Sequence, residues 1–323
     1  MELLPGFRMR AALDEDADEV AAFSNEECIA FLGVPVLSAD WLRARWSAPS
    51  ANRDQDFAVV EAPDAGLCGF LSVESRPPFA RVFALGVVAP ALHGRGLGAA
   101  IVAETERRAQ RFVALADPAA RVVMHAGALA DEPRVGALLS SHGYREVRRF
   151  ELMRIDFTDE PPLPSDVDGI SVRGFRAEDA RRVYDAHIEA FADHWGEGEE
   201  TYDDFRHRHF ESREFEPELW YVAWDGVEPV GYLGARDESL EDASRGYVEL
   251  LGVRRAYRRR GVGEMLLRHA FRALHARGKH GAELHVDAES LTGATRLYTR
   301  VGMTAHPRFA TWEKELRPAR SPG

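Results

Sequence analysis

The chain has 323 residues, 45% of them hydrophobic, with two cysteines and a formal net charge of -12. That length exceeds what one core organises and predicts two domains, while the acidic balance excludes a broad nucleic-acid surface and leaves room only for local anion sites. No stretch approaches the ~18 uninterrupted apolar residues of a membrane span, residues 1–10 do not read as a signal peptide, and Cys28 and Cys68 form neither a metal nor a redox spacing; a soluble, cytoplasmic protein without a metal is expected.

Apolar periodicity and turn residues predict, in chain order, strands over 57–61, 69–73 and 82–88, a helix over 98–112, a strand over 121–125, a helix over 133–141 and a strand over 150–155. Residues 158–169 are polar and proline-rich and read as a linker. Beyond them follow a helix over 180–191, strands over 219–224 and 230–235 joined by Asp225-Gly226, a strand over 247–253, a helix over 263–277, a strand over 282–286, a helix over 292–301 and a strand over 310–316. The two series run in parallel, and so do their residues. Arg10 to Ala17 matches Arg173 to Ala180 at an offset of 163, Gly96-Leu97-Gly98 matches Gly261-Val262-Gly263 at 165, and Gly143-Tyr144 matches Gly302-Met303 at 159. A nearly constant shift at three separated places marks a duplication. The expected architecture is α/β (α+β), with domains over 1–157 and 170–323 and one mixed sheet flanked by helices in each.

In the second copy, strand 247–253 enters an Arg- and Gly-rich turn that opens a helix. Free N–H groups at a helix start present the positive end of the dipole to an anion, and Gly261 and Gly263 admit close approach of the main chain. A Gly-x-Gly pair also begins ordinary helices; Arg258-x-x-Gly261-x-Gly263 between a strand and a helix is more specific. It lacks the Gly-Lys-Ser/Thr ending of a P-loop and the full Gly-x-Gly-x-x-Gly dinucleotide pattern, which disfavours ATP and NAD.

This segment resembles the GNAT superfamily of N-acetyltransferases, whose Gln/Arg-x-x-Gly-x-Gly/Ala turn holds the pyrophosphate of CoA. The resemblance implies tandem domains with mostly antiparallel sheets, and acetyl-CoA bound by Arg258, Arg259, Arg260, Gly261, Val262, Gly263 and Glu264 beside the strand end Leu251-Gly252-Val253. In the first copy the corresponding residues are Val87, Val88, His93, Gly94, Arg95, Gly96, Leu97, Gly98 and Ala99, with His93 where the family has Gln or Arg. Residues 286–303 resemble the second GNAT signature, Asn-x-x-Ala-x-x-Leu-Tyr-x-x-x-Gly-Phe: Leu297-Tyr298 and Gly302 match, and Ser290 stands near the Asn that contacts the pantetheine arm, with one extra residue before Ala294.

Acetyl transfer requires that an amine lose a proton, that an oxyanion be held, and that the leaving thiolate gain a proton. Tyr298 is the candidate acid. Glu249, in an otherwise apolar strand, is the candidate base, acting directly or through water; several family members carry this carboxylate about two residues earlier, where Tyr247 stands, and His285 and Asp287 are reserves. Backbone N–H groups of 251–253 are the oxyanion donors that the family's splayed strand implies. Counting from the turns sets Ala84 opposite Glu249 and Leu139 opposite Tyr298, so the first copy is expected to keep the cofactor turn without the chemistry.

The stretch 191–205 is rich in carboxylates and aromatic residues, suited either to lining a cationic amine site or to a solvated loop. An impaired first half with an intact second is similar to the plan of the mycothiol synthase family, whose members acetylate a cysteinyl amine, although Asp193-His194-Trp195-Gly196 is not a feature of that family. The function expected is acetyl transfer from acetyl-CoA to the primary amine of a small molecule by the C-terminal domain, with no nucleic-acid or membrane partner. A protein N-acetyltransferase and an acyl-CoA sensor are the alternatives.

Overall fold

The computed structural model describes residues 2–63, 66–192, 200–290 and 293–319. The chain runs β1 (Glu2–Leu4), β2 (Phe7–Ala11), α1 (Ala17–Leu32), α2 (Ala39–Trp46), α3 (Arg53–Asp56), β3 (Phe57–Ala62), β4 (Gly66–Ser75), β5 (Arg81–Val88), α4 (Leu97–Leu115), β6 (Val122–Leu129), α5 (Pro133–Ser141) and β7 (Arg145–Asp156). It continues with β8 (Ile170–Gly174), α6 (Ala180–Phe191), α7 (Tyr202–His209), β9 (Trp220–Asp225), β10 (Glu228–Arg236), β11 (Arg245–Val253), α8 (Val262–Ala276), β12 (Gly281–Asp287), α9 (Ala294–Arg300) and β13 (Thr304–Arg317).

Two compact units result, one of residues 2–149 with 308–319 and the other of 150–192 with 201–307. The sheet of the first is ordered β1-β2-β3-β4-β5-β6-β13, that of the second β7-β12-β11-β10-β9-β8. One pair in each is parallel, β5 with β6 and β11 with β12; the other pairs described are antiparallel. The boundary expected at 158–169 follows the covalent order, but the strands cross it. Phe150–Asp156 pairs with β12 in the second unit, while Phe309–Arg317 at the chain's end pairs with β6 in the first. The proline-rich segment is itself tied to α8: Arg272 donates to the Pro161 carbonyl at 2.8 Å and pairs with Glu160.

Helical spacing explains the layers on the second sheet. Val262, Met265, Leu266, Ala270, Phe271 and Leu274 of α8 recur every three or four residues and cover one face. On the other face Val183 and Ala186 of α6 and Phe205 of α7 pack on Trp220, Val222 and Tyr232. In the first unit α4 covers one face and α1 with α2 the other.

The repeat at 10–17 and 173–180 is a structural clamp. Arg10 donates two bonds to Asp16 at 2.6 and 2.8 Å, and Arg173 donates two to Asp179 at the same distances. Each aspartate also accepts a backbone N–H three residues back, from Leu13 and Arg176. A strand end is thereby fastened to a helix start, which is why this pattern survives in both copies. No described helix is long and apolar enough to cross a membrane.

Candidate active site

The turn after β11 has the same backbone in both units. Arg259 and Gly94 have φ of 62° and 77°, and Gly261 and Gly96 have 95° and 82°. The first helical bond of α8 is from Met265 N–H to the Gly261 carbonyl (3.0 Å), and that of α4 from Ala100 to Gly96 (3.1 Å). The N–H groups of Val262, Gly263 and Glu264, and of Leu97, Gly98 and Ala99, therefore have no intrahelical acceptor. Neither helix has a side-chain cap, and Arg259, Arg260, Gly94 and Arg95 are exposed beside these amides. Such a turn fits a pyrophosphate.

The two glycines do different work. Gly261 supplies left-handed backbone, whereas a Cβ on Gly263 would lie 2.9 Å from Leu297 Cδ2, so this glycine lets α8 start close against α9; Gly98 stands 3.2 Å from Leu138 in the same way. Arg258 closes the turn rather than reaching outward: Nε donates to the Val253 carbonyl (3.2 Å) and Nη2 to the Ala190 carbonyl (2.8 Å). His93 makes the equivalent bond, with Nε2 3.0 Å from the Val88 carbonyl, while Arg134 lies 2.8 Å from its Nδ1. A donor at Nδ1 leaves the ring proton on Nε2, so the imidazole replaces the guanidinium in this closing bond. Arg260 lies over the Tyr257 ring at 5.0 Å.

Between β11 and β12 the sheet opens. The two strands pair only at Arg245–Gly281, Gly246–Ala282 and Tyr247–Glu283, which leaves residues 248–253 without a partner on that side. In the first unit β5 and β6 likewise part beyond Ala84 and Ala126. Amides alternate between the two sides of a strand, and Arg254 N–H donates to Val230 of β10 (2.9 Å), so the N–H groups of Leu251 and Val253 face the opening and that of Gly252 faces β10. Gly252 serves packing: a Cβ there would meet the Tyr232 ring at 2.5 Å.

Glu249 sits in a β-bulge. Leu250 pairs with Gly234 and Val248 with Ala235, so Glu249 has no partner on β10. Val248 packs into the α8 layer and Leu250 into the α6–α7 layer, and the extra residue sends Glu249 to the latter side, where its Oε1 meets His209 Nδ1 at 2.8 Å. Burial pushes the Glu249 carboxyl up, but the hydrogen bond and charge of His209 and the charge of Arg236 outweigh it and hold the group below its usual value. The Tyr247 hydroxyl lies 2.9 Å from His285 Nδ1 at the point where the strands part. Burial, with the charge of Glu249 adding to it, pushes Tyr247 up to about 12.

Tyr298 lies on the opposite face, in the α8–α9 layer at 7% exposure. Its hydroxyl has no hydrogen-bond partner among the described residues and is not one of the polar atoms sealed from solvent, and burial, with Tyr247 adding to it, holds its proton more tightly than an ordinary phenol's. Leu139 is its counterpart: Tyr144 N–H donates to the Leu139 carbonyl (3.0 Å) as Met303 N–H does to the Tyr298 carbonyl (2.9 Å). Glu249 has no counterpart. The β4–β5 register runs without a bulge, with Ala84 opposite Val73, as Val248 is opposite Ala235, so Ala84 corresponds to Val248 and the carboxylate is an added residue.

Ser290 lies in the turn before α9, its N–H bonded to the Asp287 carbonyl (3.1 Å). Asp287 is buried, with Oδ1 accepting the Glu289 N–H. Of the acidic stretch, Asp204 is engaged at the start of α7 with Thr201 and Phe205 is in the core; residues 193–199, including Asp193-His194-Trp195-Gly196, lie outside the described residues, as do Leu291 and Thr292. His209 and Arg236 are site residues that no local pattern singled out.

Comparison with known proteins identifies the family. Residues 180–303 match the Acetyltransferase (GNAT) family. The mycothiol acetyltransferase of Catenulispora acidiphila is 32% identical over 222 residues, 68% of each chain, and that of Geodermatophilus obscurus is 30% identical over 284 residues, 84% of this chain and 86% of that one. A GCN5-related N-acetyltransferase from Sphaerobacter thermophilus has a TM-score of 0.76 at 32% identity, covering 98% of both chains. The chain belongs to the GNAT acetyltransferase family: it is a tandem, acyl-CoA-dependent N-acetyltransferase that transfers an acetyl group to an amine.

Proposed function

We propose that the donor is acetyl-CoA, that the acceptor is the primary amine of a small molecule, and that the chemistry belongs to the C-terminal domain, the N-terminal one being non-catalytic. One observation carries this reading: of two units with matching turns and openings, the second has a phenol, Tyr298, where the first has Leu139, and an added carboxylate, Glu249, in a bulge that the first unit's strand lacks. The relatives named mycothiol acetyltransferase support a small-molecule acceptor, and the resemblance to the mycothiol synthase family makes a cysteinyl amine the narrower candidate.

On this reading the pyrophosphate binds the amides of Val262, Gly263 and Glu264 with Arg259 and Arg260 nearby, the turn at Ser290 meets the pantetheine arm, and the thioester enters the opening with its carbonyl oxygen toward the N–H groups of Leu251 and Val253. The acceptor ammonium gives one proton to Glu249, directly or through water, and the neutral nitrogen bonds to the thioester carbon. Collapse of the oxyanion breaks the C–S bond, and the sulfur takes the Tyr298 proton. The second nitrogen proton restores the phenol, and that on Glu249 returns to solvent.

The test is mass spectrometry of products formed from acetyl-CoA and, in separate reactions, a cysteinyl amide, free amino acids and a lysine-containing peptide. N-acetylation of the cysteinyl amide, slowed in Glu249→Gln, is expected. Modification of the peptide alone would point to a protein acceptor, and acetyl-CoA binding without turnover to a sensor.

A further inference from the structure

His209, the last residue of α7, is buried at 5% exposure with its ring against Phe205 (centroids 4.8 Å apart) and Trp220 (6.3 Å). Its Nδ1 is 2.8 Å from Glu249 Oε1, while the Glu249 side chain remains 29% exposed. One carboxylate oxygen is therefore held from inside the protein while the carboxylate still meets solvent. Nε2 of His209 has no hydrogen-bond partner among the described residues. The contact depends on the bulge, because unbroken alternation after Val248 and before Leu251, both in the α8 layer, leaves room for only one residue on the α7 side.

We propose that His209 is the positioning residue of the base: its Nδ1–H anchors one oxygen of Glu249 and leaves the other to take the acceptor's proton. This rests on the reading of Glu249 as the base. A neutral imidazole donates to the carboxylate and orients it.

Other charges surround the pair. Arg236 of β10, itself paired with Glu214, faces Glu249. Tyr247 of β11 is bonded to His285 of β12, with Glu241 3.7 Å from His285 Nε2. On the α6 side His187 packs on Phe205 and bonds Tyr232 at 2.5 Å. Asp204 of α7 is engaged with Thr201. None of these contacts takes the place of the His209–Glu249 bond.

The test compares His209→Asn, which keeps an N–H near the Nδ1 position but cannot ionise, with His209→Phe, which keeps a ring without a donor. With acetyl-CoA and a saturating cysteinyl amide, His209→Phe is expected to lower kcat by about tenfold or more with KM for acetyl-CoA unchanged. His209→Asn should recover most of that kcat, because its amide restores the donor to Glu249 Oε1. Equal losses in both variants overturn the proposal. A Glu249→Gln enzyme with wild-type turnover overturns the reading of the base instead.

Discussion

Leu139 and Tyr298 occupy the same position in the two units, each offering its carbonyl to the amide five residues on, Tyr144 at 3.0 Å and Met303 at 2.9 Å. Both side chains are buried, Leu139 in the layer with α4 and Tyr298 in the layer with α8, but only Tyr298 brings a hydroxyl. Replacing it by Phe keeps the ring and removes no hydrogen bond to a described residue, so folding stability should change little. Single-turnover transfer should fall by about 10²- to 10⁴-fold if the phenol protonates the leaving thiolate. A wild-type rate would remove Tyr298 from the chemistry.

Gly261 has φ of 95°, a conformation that a β-branched residue rarely adopts. Gly261→Val should shift the amides of α8's first turn and weaken acetyl-CoA binding by more than about tenfold, or ~1.4 kcal/mol. Calorimetry on a variant with wild-type circular dichroism decides the matter, and unchanged affinity would rule out this turn as the pyrophosphate site.

Gly96 is the matching position in the first unit, with φ of 82°. Gly96→Val should leave acetyl transfer within about threefold of wild type, as expected for independent sites. Loss of turnover in a folded protein whose second unit still binds acetyl-CoA would mean that the first unit takes part in the reaction.

A further prediction concerns pH and β13. Burial pushes the Glu313 carboxyl up, but hydrogen bonds from Arg121, Arg145 and His125 more than offset this and pull it from 4.5 down to about 2. A carboxyl lowered on folding stabilises the native state above its unfolded value, and that stabilisation is lost as pH falls from about 4.5 toward about 2. The contribution is of the order of 3 kcal/mol at most, because exposed Arg121 and Arg145 are screened by solvent. Urea denaturation of Glu313→Gln should show its deficit at pH 7 and nearly none at pH 2; a deficit independent of pH would show that packing, not charge, is responsible.

The parts of the site that were legible in the sequence are those built from neighbouring residues. The turn at 258–264 needs a glycine at a left-handed step and free amides at a helix start, both of which are local requirements, and Tyr298 is located by its spacing from Gly302. The duplication was equally readable, since its clamps, Arg10 with Asp16 and Arg173 with Asp179, each lie within a single strand-to-helix corner.

Counting along the chain set Ala84 against Glu249, but strand register sets Ala84 against Val248 and leaves Glu249 in a bulge. A bulge adds one residue without a residue-type signature, so only pairing reveals it. His209 meets Glu249 across forty residues, a closeness produced by α7 packing on the sheet and by nothing in the local sequence of either. The strand partners were decided the same way. Periodicity identifies 150–155 and 310–316 as strands, but it carries no record of which edge each will join. That choice belongs to the tertiary structure, where Phe150–Asp156 completes the second unit's sheet and Phe309–Arg317 the first's.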